Sequence, residues 1–220
     1  MPVSTVHLLR HGEVLNPDRM LYGRIPGFGL SELGFQMADR AGEYFAKRQT
    51  EGANVVRLVA SPLIRAQQTA QPTAQALDLP IITDERVIEA GNSFEGLAQI
   101  KSQLKNPRYW PLLRNPLKPS WGEPYVQQVA RMRLAMDEQR HAALAEHGDG
   151  AEIIIVSHQL PIWVTRRDAE GRRLFHDPRA RQCTLTSITS FEFDGDELRS
   201  VNYTEPSPDL LAGAANIPGA

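Results

Sequence analysis

Arg10-His11-Gly12-Glu13 follows directly on the apolar run Val6-His7-Leu8-Leu9. A guanidinium and an imidazole stand side by side where a segment fit for a strand gives way to a loop. Gly12 predicts a sharp backbone turn there. Ligands of α/β proteins bind outside the carboxyl ends of the strands, so an arginine beside a histidine at such an end makes an anion site with a built-in nucleophile. Other segments deliver similar groups. Residues 55–60 read as a strand and lead into Ser61-Pro62-Leu63-Ile64-Arg65-Ala66. There Ser61 is expected to cap a helix, Pro62 to occupy its first position and Arg65 to lie in its first turn. Residues 153–156 form another apolar run, followed at once by Ser157-His158-Gln159. Glu89 ends the short stretch Val87-Ile88 and adds a carboxylate.

These groups need a scaffold, and its elements are legible in the same pattern. Residues 31–47 predict a helix capped by Ser31, with Leu33, Met37, Ala41, Tyr44 and Phe45 near one face. Residues 79–82 predict a short strand, and residues 123–146 a long helix that starts irregularly at Pro124. Residues 185–193 and 198–203 flank Asp194-Gly195-Asp196, a hairpin signal. Strands alternating with helices predict an α/β fold, a three-layer α/β/α sandwich whose central sheet is mostly parallel with an antiparallel edge strand. One domain is expected over residues 1–204, with a Pro-, Gly- and Ala-rich mobile tail over 205–220.

In this arrangement the chain resembles the histidine phosphatase superfamily, the phosphoglycerate-mutase-like proteins. The resemblance rests on Leu9-Arg10-His11-Gly12-Glu13, Leu30-Ser31-Glu32-Leu33-Gly34, Ser61-Pro62 with Arg65-Ala66 and Thr69-Ala70, Ile88-Glu89 with Phe94-Glu95-Gly96, Gly122-Glu123, and Val156-Ser157-His158. The motifs keep the family's order across residues 5–160. The resemblance implies the phosphoglycerate-mutase-like fold and a covalent phosphohistidine on His11, since a neutral imidazole nitrogen is both nucleophile and leaving group. It also implies that Arg10 and Arg65 grip phosphoryl oxygens with planar forks, that His158 donates to the same group, and that Glu89 protonates the leaving oxygen, with Glu13 and Glu95 as alternatives. Nearby arginines would lower the Glu89 pKa and burial would raise it; the residue types leave that balance open.

Three positions depart from the commoner family pattern. The third residue after His11 is Val14 rather than Ser or Thr, and the asparagine, Asn16, comes one residue early. Gln159 stands where glycine is usual. Asn16 and Gln159 are expected to bind phosphate, and Tyr22-Gly23-Arg24 to form a substrate-contacting loop. Residues 106–122, dense in Pro and Trp, read either as a packed connection or as a lid carrying Arg108, Arg114 or Lys118 to a second anion.

Composition bounds the remaining classes. A formal net charge of −2 offers no general attraction to nucleic acid or to an anionic membrane. The single cysteine, Cys183, excludes an internal disulfide and fits a reducing compartment. With no signal-like or long apolar segment, a cytoplasmic protein is expected. No His and carboxylate cluster has metal-ligand spacing, so neither metal nor other cofactor is expected. The expected partner is a small-molecule phosphate ester; a homo-oligomer is compatible with the sequence. The leading functional reading is a phosphomonoesterase, because Glu89-Ala90-Gly91-Asn92-Ser93 lacks the distinctive mutase segment around the acid. A cofactor-dependent phosphoglycerate mutase and a catalytically silent phospho-ligand-binding protein are the alternatives.

Overall fold

The computed structural model describes residues 1–98, 103, 105–115 and 121–214. Leu8 and Leu9 of β1 (Val3–Arg10) are both fully buried although they point to opposite faces of the sheet. A strand buried on both sides must be central, and β1 is. It pairs in parallel with β4 (Ala151–Ser157), which pairs in parallel with β2 (Asn54–Ala60), which pairs in parallel with β3 (Ile81–Thr83). On its other side β1 pairs antiparallel with β5 (Ile188–Asp194), and β5 with β6 (Glu197–Thr204), giving the order β3-β2-β4-β1-β5-β6. The edge is thus a two-stranded antiparallel hairpin. Gly195, the first residue of its loop, has the positive φ of 60° that a type II′ turn requires.

Helices α1 (Glu32–Thr50) and α2 (Ile64–Leu77) cover one face, packing Ala41, Phe45, Ala66 and Ala70 against Leu9, Leu58, Ile154 and Val156. Helices α3 (Tyr125–His147) and α4 (Gln159–Ala169) cover the other, with Met132, Met136 and Ile162 against Val6, Leu8, Ile153 and Ile155. At roughly 1.5–3 kcal/mol for each fully buried aliphatic side chain, these two layers hold the strand ends rigidly. The result is the expected three-layer α/β/α sandwich. No helix among the described residues is long and apolar enough to cross a membrane.

Local expectations are corrected in several places. Ser31 caps α1, accepting from the Gly34 N–H at 2.9 Å, but Ser61 does not cap α2. That helix begins at Ile64 with Leu63 at the cap, and the Ser61 hydroxyl turns to His158 instead. β3 starts two residues later than expected, at Ile81, and β5 starts at Ile188. Residues 185–187 instead form a turn, with Thr186 at φ 51° and the Ser187 carbonyl accepting from the Arg10 N–H at 3.0 Å. The chain after residue 204 is packed rather than free as far as it is described. Glu205 accepts from Thr184 and Tyr203 at 2.9 and 2.8 Å, Ser207 is buried against Thr186, and Pro208–Gly213 forms a 3-10 turn. Residues 215–220 lie outside the described residues.

Candidate active site

His11 sits one residue past the end of β1, fully buried, with its N–H donating to the Ser157 carbonyl of the neighbouring strand at 3.1 Å. Gly12 is required here for a different reason than a turn. Its φ is not in the left-handed region; a Cβ at that position would lie 2.6 Å from the Gly34 carbonyl oxygen, so only glycine lets β1 run out against the start of α1. The Gly12 N–H donates to the Thr69 hydroxyl at 3.0 Å, and that hydroxyl donates to the Arg65 carbonyl at 2.7 Å. The end of β1 is thereby tied to the first turns of α2, which carries Arg65.

The His11 ring is oriented by its own loop. Nδ1–H donates to the Gly12 carbonyl at 2.8 Å, which can only accept, so in the neutral ring the lone pair resides on Nε2. Burial, then Arg65 and Arg10, push the His11 pKa well below its ordinary value. The imidazole is therefore neutral at physiological pH. Nε2 has no hydrogen-bond partner among the described residues.

Around that lone pair stand groups of the opposite kind. His158, at the start of α4, is fully buried with its ring 5.1 Å from that of His11. Its Nε2 is 2.8 Å from the Ser61 hydroxyl, and its Nδ1 is unpartnered. Burial and then Arg65 hold its pKa well below the usual range too. Arg10 donates one Nη1–H to the Cys183 carbonyl at 2.8 Å, and Arg65 one Nη2–H to the Gly23 carbonyl at 2.7 Å, while both Nε–H groups lack partners. Buried polar atoms are nearly always paired. Two unpaired guanidinium N–H groups, with His158 Nδ1 also unpaired, can receive an anion at the ends of β1, β2 and β4, beside the lone pair of His11 Nε2.

Glu89 lies beside this cluster, buried, with Oε1 accepting from the Ala90 N–H at 2.8 Å. Its backbone is fixed from two sides: the Arg24 Nε–H donates to the Glu89 carbonyl at 2.7 Å, and the Ser157 hydroxyl to the Val87 carbonyl at 2.7 Å. The balance left open by the residue types resolves upward. Burial raises the Glu89 pKa by more than Ala90, Arg65, Arg131 and Arg181 lower it. The carboxyl is held closer to its protonated form than an exposed glutamate would be.

The sequence pattern of the Histidine phosphatase superfamily (branch 1) matches residues 6–206. The chain belongs to that superfamily. Among its relatives, the uncharacterized protein Rv0525 of Mycobacterium tuberculosis is 47% identical over 210 residues, covering 94% of this chain and 99% of its own. A probable phosphoglycerate mutase, GpmB of Yersinia pestis, is 26% identical over 194 residues, covering 83% of each chain. Of solved structures, Bacillus stearothermophilus YhfR superposes with a TM-score of 0.70 at 25% identity, covering 89% of this chain and 94% of its own. The mycobacterial glucosyl-3-phosphoglycerate phosphatase Rv2419c superposes with a TM-score of 0.70 at 23% identity, covering 92% and 96%, a likeness of fold.

The remaining expected site residues divide sharply. Tyr22 is buried, stacks on Phe28 and carries the Arg65 guanidinium 4.7 Å above its ring centroid. Gly23 takes a φ of 41° that favours glycine and leaves room for Glu95. Arg24 is tied to the Glu89 carbonyl and to Glu123. Gln159 is buried, its amide nitrogen donating to Cys183 O at 3.3 Å and its oxygen accepting from Arg181 at 3.1 Å. Asn16 is drawn elsewhere: its amide oxygen and nitrogen both bond the Met20 backbone, at 3.0 and 2.8 Å, closing its own loop. Of the alternative acids, Glu13 accepts from Ser31 at 2.5 Å and Glu95 from the Arg24 and Asn92 N–H groups.

A cavity of about 260 Å³ opens on the Glu89 side, walled mainly by carbon from Leu21, Phe94, Leu113, Trp121, Tyr125 and Leu160. Leu113 comes from the 3-10 turn Pro107–Leu113 in the segment read as connection or lid, and Tyr109 of that turn meets Phe94 at 5.9 Å. Arg108 and Arg114 are exposed, and Lys118 lies outside the described residues. Sequence reasoning missed Ser61 as the partner of His158. It also missed Arg181, which lines the cavity from a stretch with neither periodicity nor motif.

Proposed function

We propose that this protein hydrolyses a small phosphomonoester through a phosphohistidine on His11. The observation that carries the reading is the unpartnered His11 Nε2 on a ring 5.1 Å from that of His158 and under the charges of Arg65 and Arg10, whose Nε–H groups are themselves unpartnered. In the first half-reaction Nε2 attacks phosphorus as the bond to the leaving oxygen breaks, and Glu89 gives that oxygen its proton. In the second, water attacks the phosphohistidine, Glu89 takes the proton from the water, and His11 departs as a neutral imidazole. Charge on the equatorial oxygens is met by Arg10 and Arg65, already positioned and out of water. With Ser61 donating to His158 Nε2, the Nδ1–H of His158 faces the same oxygens. Release of inorganic phosphate from a panel of phosphorylated metabolites tests this, with bisphosphoglycerate-dependent mutase activity measured alongside. Phosphate release without mutase activity is the expected result; isomerisation without release would make the protein a mutase, and neither would leave a binding protein.

A further inference from the structure

We propose that the alcohol this site releases is a compact, largely apolar acid, its carboxylate paired with Arg181. The inference rests on the phosphatase reading and specifies its substrate class. The leaving oxygen must take its proton from Glu89, so the rest of the leaving group lies in the cavity beside Glu89. At about 260 Å³ that cavity falls just below the range of roughly 300–1,000 Å³ that holds drug-sized ligands. Most of its exposed wall is carbon, Phe94, Trp121 and Leu160 among it, broken by a few polar groups such as Asn92 and Gln128, which suits a leaving group with more carbon than hydroxyl.

The charged groups on the wall are not equivalent. Glu123 is held by Arg24 at 2.9 Å and Arg131 at 2.7 Å, so its charge is already met. Arg181 makes no ion pair among the described residues. Its Nε–H donates to His176 Nε2 at 2.9 Å and one Nη1–H to Gln159 at 3.1 Å. His176 is a neutral acceptor there: burial draws its pKa down to about 4, and its Nδ1–H goes to the Leu174 carbonyl at 2.7 Å. These bonds hold Nε and Nη1 of the guanidinium, while Nη2 makes no hydrogen bond among the described residues. The guanidinium's remaining N–H groups suit the two oxygens of a carboxylate, and the carboxyl already near it, that of Glu89, is held toward its protonated form.

Phenyl phosphate, 4-carboxyphenyl phosphate and glucose 6-phosphate separate the terms, with benzylphosphonate and 4-carboxybenzylphosphonate as binding probes that cannot turn over. The wild type is expected to favour the carboxylated ester over phenyl phosphate by about 10- to 100-fold in kcat/KM, the scale of a hydrogen-bonded charge. It should favour both over glucose 6-phosphate. Arg181→Met should bring the carboxylate preference close to one, in turnover and in phosphonate binding alike. A preference for the sugar phosphate overturns the proposal. So does an Arg181→Met variant whose affinity for inorganic phosphate falls as much as its affinity for 4-carboxybenzylphosphonate, because Arg181 would then serve the phosphoryl group. Selective phosphonate binding without any ester hydrolysis would instead refute the phosphatase reading and uphold the pocket assignment.

Discussion

Glu89→Gln removes the transferable proton of the carboxyl while keeping nearly the same size and shape. The glutamine oxygen can still accept from the Ala90 N–H, now at 2.8 Å from Oε1, so the fold and the phosphate receptor should persist. The chemistry should not. A positioned general acid contributes about 10²- to 10⁴-fold, or roughly 3–5 kcal/mol of barrier at 1.36 kcal/mol per tenfold. Alkyl phosphates, whose alkoxide cannot leave unprotonated, should lose that whole factor in kcat/KM, which reports formation of the phosphohistidine. p-Nitrophenyl phosphate, whose leaving group departs as an anion, should lose less than about tenfold in kcat/KM; a fall in its kcat reports the water step, which Glu89 also serves. The pH profile carries a second signature. Glu89 must hold its proton, so turnover falls as pH rises through a pKa above the ordinary carboxylate value. His11 must lack its proton, so turnover falls as pH drops through a pKa well below the ordinary histidine value. Initial rates of phosphate release on both substrate types, across pH, measure all of this. Equal losses in kcat/KM on alkyl and aryl substrates would refute the assignment of Glu89 as the acid.

Other perturbations read the receptor itself. Inorganic phosphate at 100 times its Kd should stabilise the wild type by about 2.7 kcal/mol, seen as a rise in Tm, and Arg65→Ala should lose most of that shift. Ser61→Ala leaves the buried His158 Nε2 without its 2.8 Å partner; urea unfolding should show a loss of about 1–3 kcal/mol, and turnover should fall with it, while Ser61→Thr keeps the hydroxyl and restores both. Excess chelator should leave the rate of phosphate release unchanged, since the arginines supply the positive charge; loss of activity restored by a divalent ion would contradict that.

Much of this site was legible because its groups follow apolar runs. Val6 to Leu9, residues 55–60 and residues 153–156 announce buried strands, and Arg10, His11 and His158 come directly after them, with Arg65 only a few residues on. What failed was local detail decided by tertiary contacts. Ser61 has the sequence context of a helix cap, yet a buried imidazole competes for its hydroxyl and wins. Asn16 sits one residue from the family's asparagine, and in a tight loop that shift lets its amide close on the Met20 backbone. Gly12 serves a close approach to Gly34, from a segment more than twenty residues away, that no local pattern encodes. Arg181 was invisible for the same reason: it reaches the cavity from an irregular stretch whose course is set by contacts such as Arg10 to the Cys183 carbonyl.

The central claim is that phosphate is carried on His11, and rapid quenching during turnover tests it most directly. With a substrate labelled at phosphorus, the wild type should yield a phosphoprotein that is labile in acid, stable in base and mapped to His11 by mass spectrometry. His11→Ala should yield neither label nor turnover. Label on any other residue, or sustained turnover in His11→Ala, would contradict the account.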